Sequence, residues 1–334
     1  MDFSRVSRPA LIGNRYNSFL SAHSFVALVV VITIYRWIVL YTGSLNLHFD
    51  EAQYWLWAQN PAWGYFSKPP MIAWMIAAYQ FFFGDSVVAL KSLSLFTYLL
   101  TSGVVYSLAC RVHNHQVARY SVLLLLTMPA VSISSLAITT DVFLIFFWSV
   151  ALWLLVQSDN SSGGVRFGYL ALLGVTIGLG LLTKYTMVLF LLSMVLWYLR
   201  LPTTQWPRLF IDGVFVAVIA LVVMSPNLWW NVTHQMASFK HLHEISQVSS
   251  SRFHVGELLS FWGAQVGVVG LFSALLFVRY CLCSLPRALS NQSTYRWFCF
   301  FLAFFMIISL QALVSRAFAN WAAPCYIAAI IWLS

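Results

Sequence analysis

Apolar residues along this chain come in long unbroken runs. They show neither the alternation of a half-buried strand nor the narrow stripe of a soluble helix. A helix needs about 20 apolar residues to cross a bilayer. Runs of that order occupy roughly 24–41, 86–109, 117–136, 141–157, 167–182, 185–200, 209–226, 257–279, 297–314 and 319–334, which predicts ten spans. The stretch 69–83 is apolar but short, so it predicts a surface or re-entrant helix. Polar positions gather at the ends of the runs, above all in two segments, about 42–85 and 227–256. Segments longer than a connection requires are usually functional.

Composition sharpens this picture. Of 334 residues, 61% are hydrophobic and only 8% are charged. A soluble domain is about 45–50% apolar and about 25% charged. So little charge cannot clothe a hydrated globule, which excludes an ordinary soluble enzyme, a disordered chain and a nucleic-acid binder. The predicted fold class is an all-α polytopic membrane protein.

The net charge of +9 is a matter of orientation first. Alternating the spans from an inside N-terminus puts eleven arginines on the inner side, beginning with Arg5, Arg8 and Arg15. Six cations fall outside: Lys68, Lys91, Lys184, Lys240, Arg252 and Arg316. Arg36 lies within the first span. This bias is the one that sets topology, so the first run reads as an uncleaved signal anchor. The acids behave oppositely: Asp50, Glu51, Asp85, Asp141, Glu244 and Glu257 lie outside. The five cysteines are odd in number and sit in or beside apolar runs, which is no disulfide framework. Cys281 and Cys283 read as small residues at a helix end rather than a metal pair.

The outer face therefore holds the candidate chemistry. His48-Phe49-Asp50-Glu51 sets two adjacent carboxylates just past the first span. They suit both a helix N-terminus and acid–base work. Trp63-Gly64-Tyr65-Phe66-Ser67-Lys68-Pro69-Pro70 holds Lys68 ahead of two prolines, in a stiff turn where an ammonium can meet a phosphate or anchor a helix end. Asp141 opens a span, and Lys184 sits in a hairpin with almost no loop. Gly174 and Gly178 are spaced for close helix packing. The second segment opens with Ser225-Pro226-Asn227-Leu228-Trp229-Trp230-Asn231 and carries His241, His243 and Glu244. That trio has a spacing a metal accepts, but a solvated interfacial helix explains it more simply. Arg316 adds one more cation. Carboxylates among cations at span ends suit a membrane-borne anion, most simply a lipid phosphate.

These motifs, Phe49-Asp50-Glu51-Ala52-Gln53-Tyr54-Trp55-Leu56-Trp57 with Trp63 to Pro70, resemble the first periplasmic loop of the bacterial protein-mannosyltransferase-like (glycosyltransferase family 39-like) GT-C enzymes. These include the aminoarabinose transferases of lipid A and the galacturonosyl transferases of lipopolysaccharide core. Thr140-Asp141, Gly180 to Tyr185, Pro226 to Asn231 and Asn320 to Pro324 follow in the same order, so the likeness covers about 46–326. It implies one GT-C-like bundle over 1–334, in the bacterial inner membrane, with a cytoplasmic N-terminus and a periplasmic active site. It implies inverting transfer from a polyprenyl-phosphate sugar to a lipid A, core, glycolipid or protein acceptor. By position, Asp50 matches the general base or acceptor-positioning acid, Glu51 its partner and Asp141 a second site acid. Lys68 and Lys184 match lysines that hold the donor phosphate, with Tyr54 and Tyr65 near it. Arg316, His241 and His243 are additional candidates. No cofactor is required, and Ser67 stands where some relatives carry an acid that may ligand a metal, so a divalent metal is unsupported. Relatives usually run longer, so the expectation is a chain short at its C-terminus. The alternatives are a lipid or solute transporter, for which the spans offer only Arg36 and Asp212, both placed nearer the inner end, and a truncated inactive homologue.

Overall fold

A computed structural model describes residues 20–246 and 253–333. The topology arginines Arg5, Arg8 and Arg15, and the outer Arg252, lie outside the described residues. Within them there are helices and turns and no strand. The chain starts with α1 (Ala22–Thr42), then two short helices, α2 (Phe49–Ala58) and α3 (Met71–Phe83), then α4 (Val87–Val112). It continues through α5 (His115–Thr127), α6 (Pro129–Ser134), α7 (Thr140–Asp159), α8 (Gly163–Thr183), α9 (Val188–Tyr198) and α10 (Trp206–Thr233). The last third is α11 (Ala237–Ser246), α12 (Val255–Val269), α13 (Leu271–Ser290), α14 (Gln292–Val314) and α15 (Cys325–Leu333).

Six of the described helices are long and apolar enough to cross a membrane, or seven if the bent pair α12–α13 is one span. Ten runs were expected, and the difference has local causes. The run 117–136 breaks where Pro129, which lacks an N–H, opens α6 at its first residue. The run 257–279 bends by 111° at Gly270, whose φ of +88° suits glycine. The two breaks touch, since a Cβ on Gly270 would meet Pro129 Cδ at 3.4 Å. The runs 185–200 and 319–334 fold as the short helices α9 and α15. The short run 69–83 is the separate helix α3, as its length predicts.

The centre of the bundle is α7, packed against α4 and α8, with α8 against α10. Gly174 and Gly178 do what their spacing predicts: Cβ atoms there would lie 2.7 Å from Ile219 Cβ and 2.6 Å from Val223 Cβ. Among the described residues two arginines are buried. At the starts of α8 and α10, Arg166 grips both oxygens of Asp212, one of them at 2.7 Å. This is the end of the bundle expected to face inward. Arg36 departs from expectation. It lies in the last third of α1, toward α2, the end that an inside N-terminus would turn outward. Its guanidinium donates to the carbonyl oxygen of Leu126 and, at 3.1 Å, to Ser132 Oγ. A cation fits there because the break before Pro129 leaves the last carbonyls of α5 short of donors.

The candidate active site

One end of the bundle collects α2, the start of α3, the first turns of α4 and α7, and the last turns of α8 and α10. Its residues were far apart in sequence. Helix α2 opens with Asp50 and Glu51 in its first turn, where the helix dipole favours negative charge. Asp50 is half-buried and makes no hydrogen bond or ion pair with any described residue. Glu51 is buried, and each of its oxygens accepts two hydrogen bonds. Lys91 Nζ donates to Oε1 at 2.9 Å and to Oε2 at 2.7 Å. The amides of Ile138 and His48 each donate at 2.8 Å, to Oε1 and Oε2 respectively. Lys91 was not among the expected site residues.

Asp141 opens α7 and is 7% exposed. Lys184 Nζ donates to its Oδ1 at 2.7 Å, and Asn320 Nδ2 donates to its Oδ2 at 2.6 Å. Lys184 therefore carries its own counter-charge. Lys68 does not: its ammonium has no hydrogen-bonded partner among the described residues. Burial, reinforced by the Lys184 charge, holds Lys68 below the usual lysine pKa, while Asp141 and Asp50 pull the other way. Tyr54, 3% exposed, feels both Asp50 and Asp141, and burial with these charges pushes its phenol well up. Asp50, Tyr54, Lys68, Asp141 and Lys184 thus share one electrostatic neighbourhood.

The turn that carries Lys68 is clamped from behind. Tyr65 N donates to the Lys68 carbonyl at 3.2 Å, and the Tyr65 ring stacks on Trp57 at 4.5 Å. The Tyr65 hydroxyl accepts from Ala62 N at 3.0 Å and donates to the Trp57 carbonyl at 3.1 Å. Helix α10 runs straight through Pro226, so Asn227 to Asn231 are helical rather than the start of a loop. Asn227 Nδ2 donates to the Trp63 carbonyl at 2.7 Å, and Ser238 Oγ donates to the Tyr65 carbonyl at 2.6 Å. Tyr185 OH donates to Asn227 Oδ1 at 3.0 Å and stacks on Phe239. Gly64 is needed where the turn meets α10, because a Cβ there would lie 2.4 Å from Trp230 Cε3.

His241 packs on Phe66, and burial beside Lys68 lowers its pKa. His243 and Glu244 are exposed, and among the described residues no group of three His, Cys, Asp or Glu is placed to hold a metal. Arg316 is exposed over the Phe318 ring, and no hydrogen bond or ion pair joins it to Asp50, Lys68, Asp141 or Lys184. Asp141 and Asn320 line a largely apolar cleft of about 360 Å3, together with residues of α6, α12 and α15. Tyr98 also lines it, with its hydroxyl 2.6 Å from Ser134 Oγ.

Residues 67–230 match the family model described as dolichyl-phosphate-mannose-protein mannosyltransferase. The lipid A galacturonosyltransferase RgtD of Rhizobium johnstonii is 32% identical over 321 residues, 94% of this chain and 66% of that protein. The chain belongs to this protein-mannosyltransferase-like family. A second member, the undecaprenyl phosphate-α-4-amino-4-deoxy-L-arabinose arabinosyl transferase 1 of Pseudomonas fluorescens, is 31% identical over 165 residues, 48% of this chain and 28% of that protein. The chain thus spans 66% or less of the length of these two family members. The fold is also the family's: ArnT from Cupriavidus metallidurans, solved with undecaprenyl phosphate, superposes with a TM-score of 0.73 at 21% identity, over 94% of this chain and 60% of that one. The family match holds Lys68, Lys91, Asp141, Lys184 and Asn227, while Asp50 and Glu51 precede it and Asn320 follows it.

Proposed function

We propose that the chain transfers a sugar from a polyprenyl-phosphate donor to an envelope glycolipid, on the periplasmic side of the inner membrane, with its N-terminus in the cytoplasm. The observation that carries this is Lys68: a desolvated ammonium with no hydrogen-bonded partner among the described residues, beside a second lysine and two carboxylates. Such a group is completed by an anion, and a phosphate on a membrane lipid is the simplest one that reaches it. The cleft lined by Asp141 offers hydrocarbon a place next to this polar centre. Among the family members above are a lipid A galacturonosyltransferase and an undecaprenyl-phosphate-sugar transferase, which supports lipid A as the acceptor to try first.

In the proposed step Asp50 takes the proton of an acceptor hydroxyl. The freed oxygen attacks the anomeric carbon from the face opposite the phosphate, and the bond from that carbon to the phosphate oxygen breaks. The electron pair leaves on polyprenyl phosphate, whose charge Lys68 meets directly and Lys184 supports from its pair with Asp141. Inversion at the anomeric carbon follows. Membranes containing the chain, given labelled polyprenyl-phosphate sugars and lipid A, are expected to yield a mass shift of one sugar. Asp50→Asn is expected to insert normally and lose transfer. Near-normal turnover in that variant would sink the assignment.

A further inference from the structure

We infer that Glu51 and Lys91 form a charge-paired strut that sets Asp50 against Asp141, and that Glu51 takes no proton in the reaction. This rests on the transferase reading and divides the work between two adjacent carboxylates that sequence cannot tell apart.

A carboxylate offers about four acceptor positions. All four of Glu51's are filled by N–H donors at 2.7–2.9 Å. The residue is 3% exposed, so neither water nor an acceptor hydroxyl reaches an unfilled one. Asp50 is the reverse case, half-buried and without a bonded partner among the described residues. Successive residues on a helix point about 100° apart. While Glu51 turns to α4, Asp50 sits one turn before Tyr54, whose phenol feels its charge.

The donors to Glu51 come from three places that matter. His48 N belongs to the start of α2, beside Asp50. Lys91 belongs to α4 and is 4% exposed. Ile138 lies 87 residues away and three before Asp141. One carboxylate therefore ties the backbone on the near side of Asp50 to the backbone leading into Asp141. Lys91 supplies the counter-charge that a buried carboxylate needs. The pair is neutral, so it fixes geometry and leaves the field at the phosphate site to Lys68, Lys184, Asp141 and Asp50.

The test uses Glu51→Gln, Lys91→Gln and the double variant, in the full chain purified in detergent and in membranes. Lys91→Gln leaves a buried carboxylate unpaired and is expected to melt lowest. The double variant, with two neutral amides, is expected to melt above it. In transfer assays the double variant is expected to keep the donor KM within about twofold while kcat falls by on the order of tenfold to a hundredfold, the scale of a misplaced group. It is also expected to keep the acidic limb of the pH–rate profile where the unaltered chain has it. A proton-accepting Glu51 would behave otherwise: Glu51→Gln would erase that limb. Loss of the limb, or melting losses that simply add, overturns the strut. If the unaltered chain transfers nothing from any donor, the transferase reading fails, and the melting cycle alone decides whether the pair exists.

Discussion

Gly64→Ala probes the clamp that presents Lys68, by adding one methyl group. The new Cβ would sit 2.4 Å from Cε3 and 2.7 Å from Cδ2 of Trp230, and 2.9 Å from Asn227 Nδ2. Carbon atoms rest comfortably at about 3.5–4.0 Å, so the contact must open by about 1 Å. The indole cannot simply tilt away, because it is stacked on His234 at 4.1 Å, and Asn227 is held by its bond to the Trp63 carbonyl. The turn gives instead, and it carries Lys68 with it. Overpacking of this kind costs about 1–3 kcal/mol, too little to unfold the bundle. A displacement of about 1 Å at a reacting centre costs about a hundredfold in rate. The expected result is a modest fall in melting temperature with a fall in donor kcat/KM of about tenfold to a hundredfold. Trp230→Leu in the same chain makes room for the methyl and is expected to restore part of the loss. Unchanged kcat/KM in Gly64→Ala would show that the turn does not bear on α10, and no recovery in the double variant would point away from Trp230.

Two further outcomes follow from the geometry. Because burial and Lys184 lower the Lys68 pKa, Lys68 turns neutral as pH rises through that lowered value, earlier than an ordinary lysine. Donor kcat/KM should therefore fall on the alkaline side, and Lys68→Arg, which stays protonated, should flatten that limb; an identical limb in the variant removes Lys68 from the phosphate site. Gly178→Val would press a branched side chain onto Val223 Cβ, 2.6 Å from the new Cβ, and onto the Ala220 carbonyl at 3.0 Å. Separation of α8 from α10 should lower stability by about 1–3 kcal/mol, read as melting in detergent, and an unchanged melting curve would mean the packing is looser than drawn.

The fold class was legible because bilayer physics acts on composition, and few architectures survive 8% charge. The helix breaks were harder. Pro129 and Gly270 sit inside runs that hydropathy averages into whole spans, and the fold sets them side by side, where a Cβ on Gly270 would lie 3.4 Å from Pro129 Cδ. In the site, Asp50, Lys68, Asp141 and Lys184 stood out as isolated charges at span ends, and the fold brings them together. Lys91 was missed because it counted as one more outer lysine. A signal was present: Ser92, Ser94, Thr97, Thr101 and Ser102 follow it on α4 and are all buried, so that helix faces protein rather than lipid. Asn227, Asn231 and Ser238 fell in the outer segment 227–256 because the apolar run ends at Pro226. Here α10 continues through it, and Asn231 Nδ2 donates to the Asn227 carbonyl at 3.0 Å. Arg36 was assigned to the wrong half of α1, although an inside N-terminus already puts position 36 of the run 24–41 toward the outer end; what a hydropathy profile hides is its partner, the Leu126 carbonyl.

The bonds to Glu51 also impose an order on biogenesis. Its partners Lys91 and Ile138 are synthesised 40 and 87 residues later. Until they arrive, an ionised side chain has no tolerable place below the headgroups and keeps the start of α2 at the water surface. Docking of α2 must then wait for α4 and for the segment before α7. A nascent chain halted before that point would display the Asp50–Glu51 pair to water without an assembled pocket. The pocket proposed as the reactive centre would then be completed only once Ile138 has been made, as a by-product of neutralising a neighbouring charge.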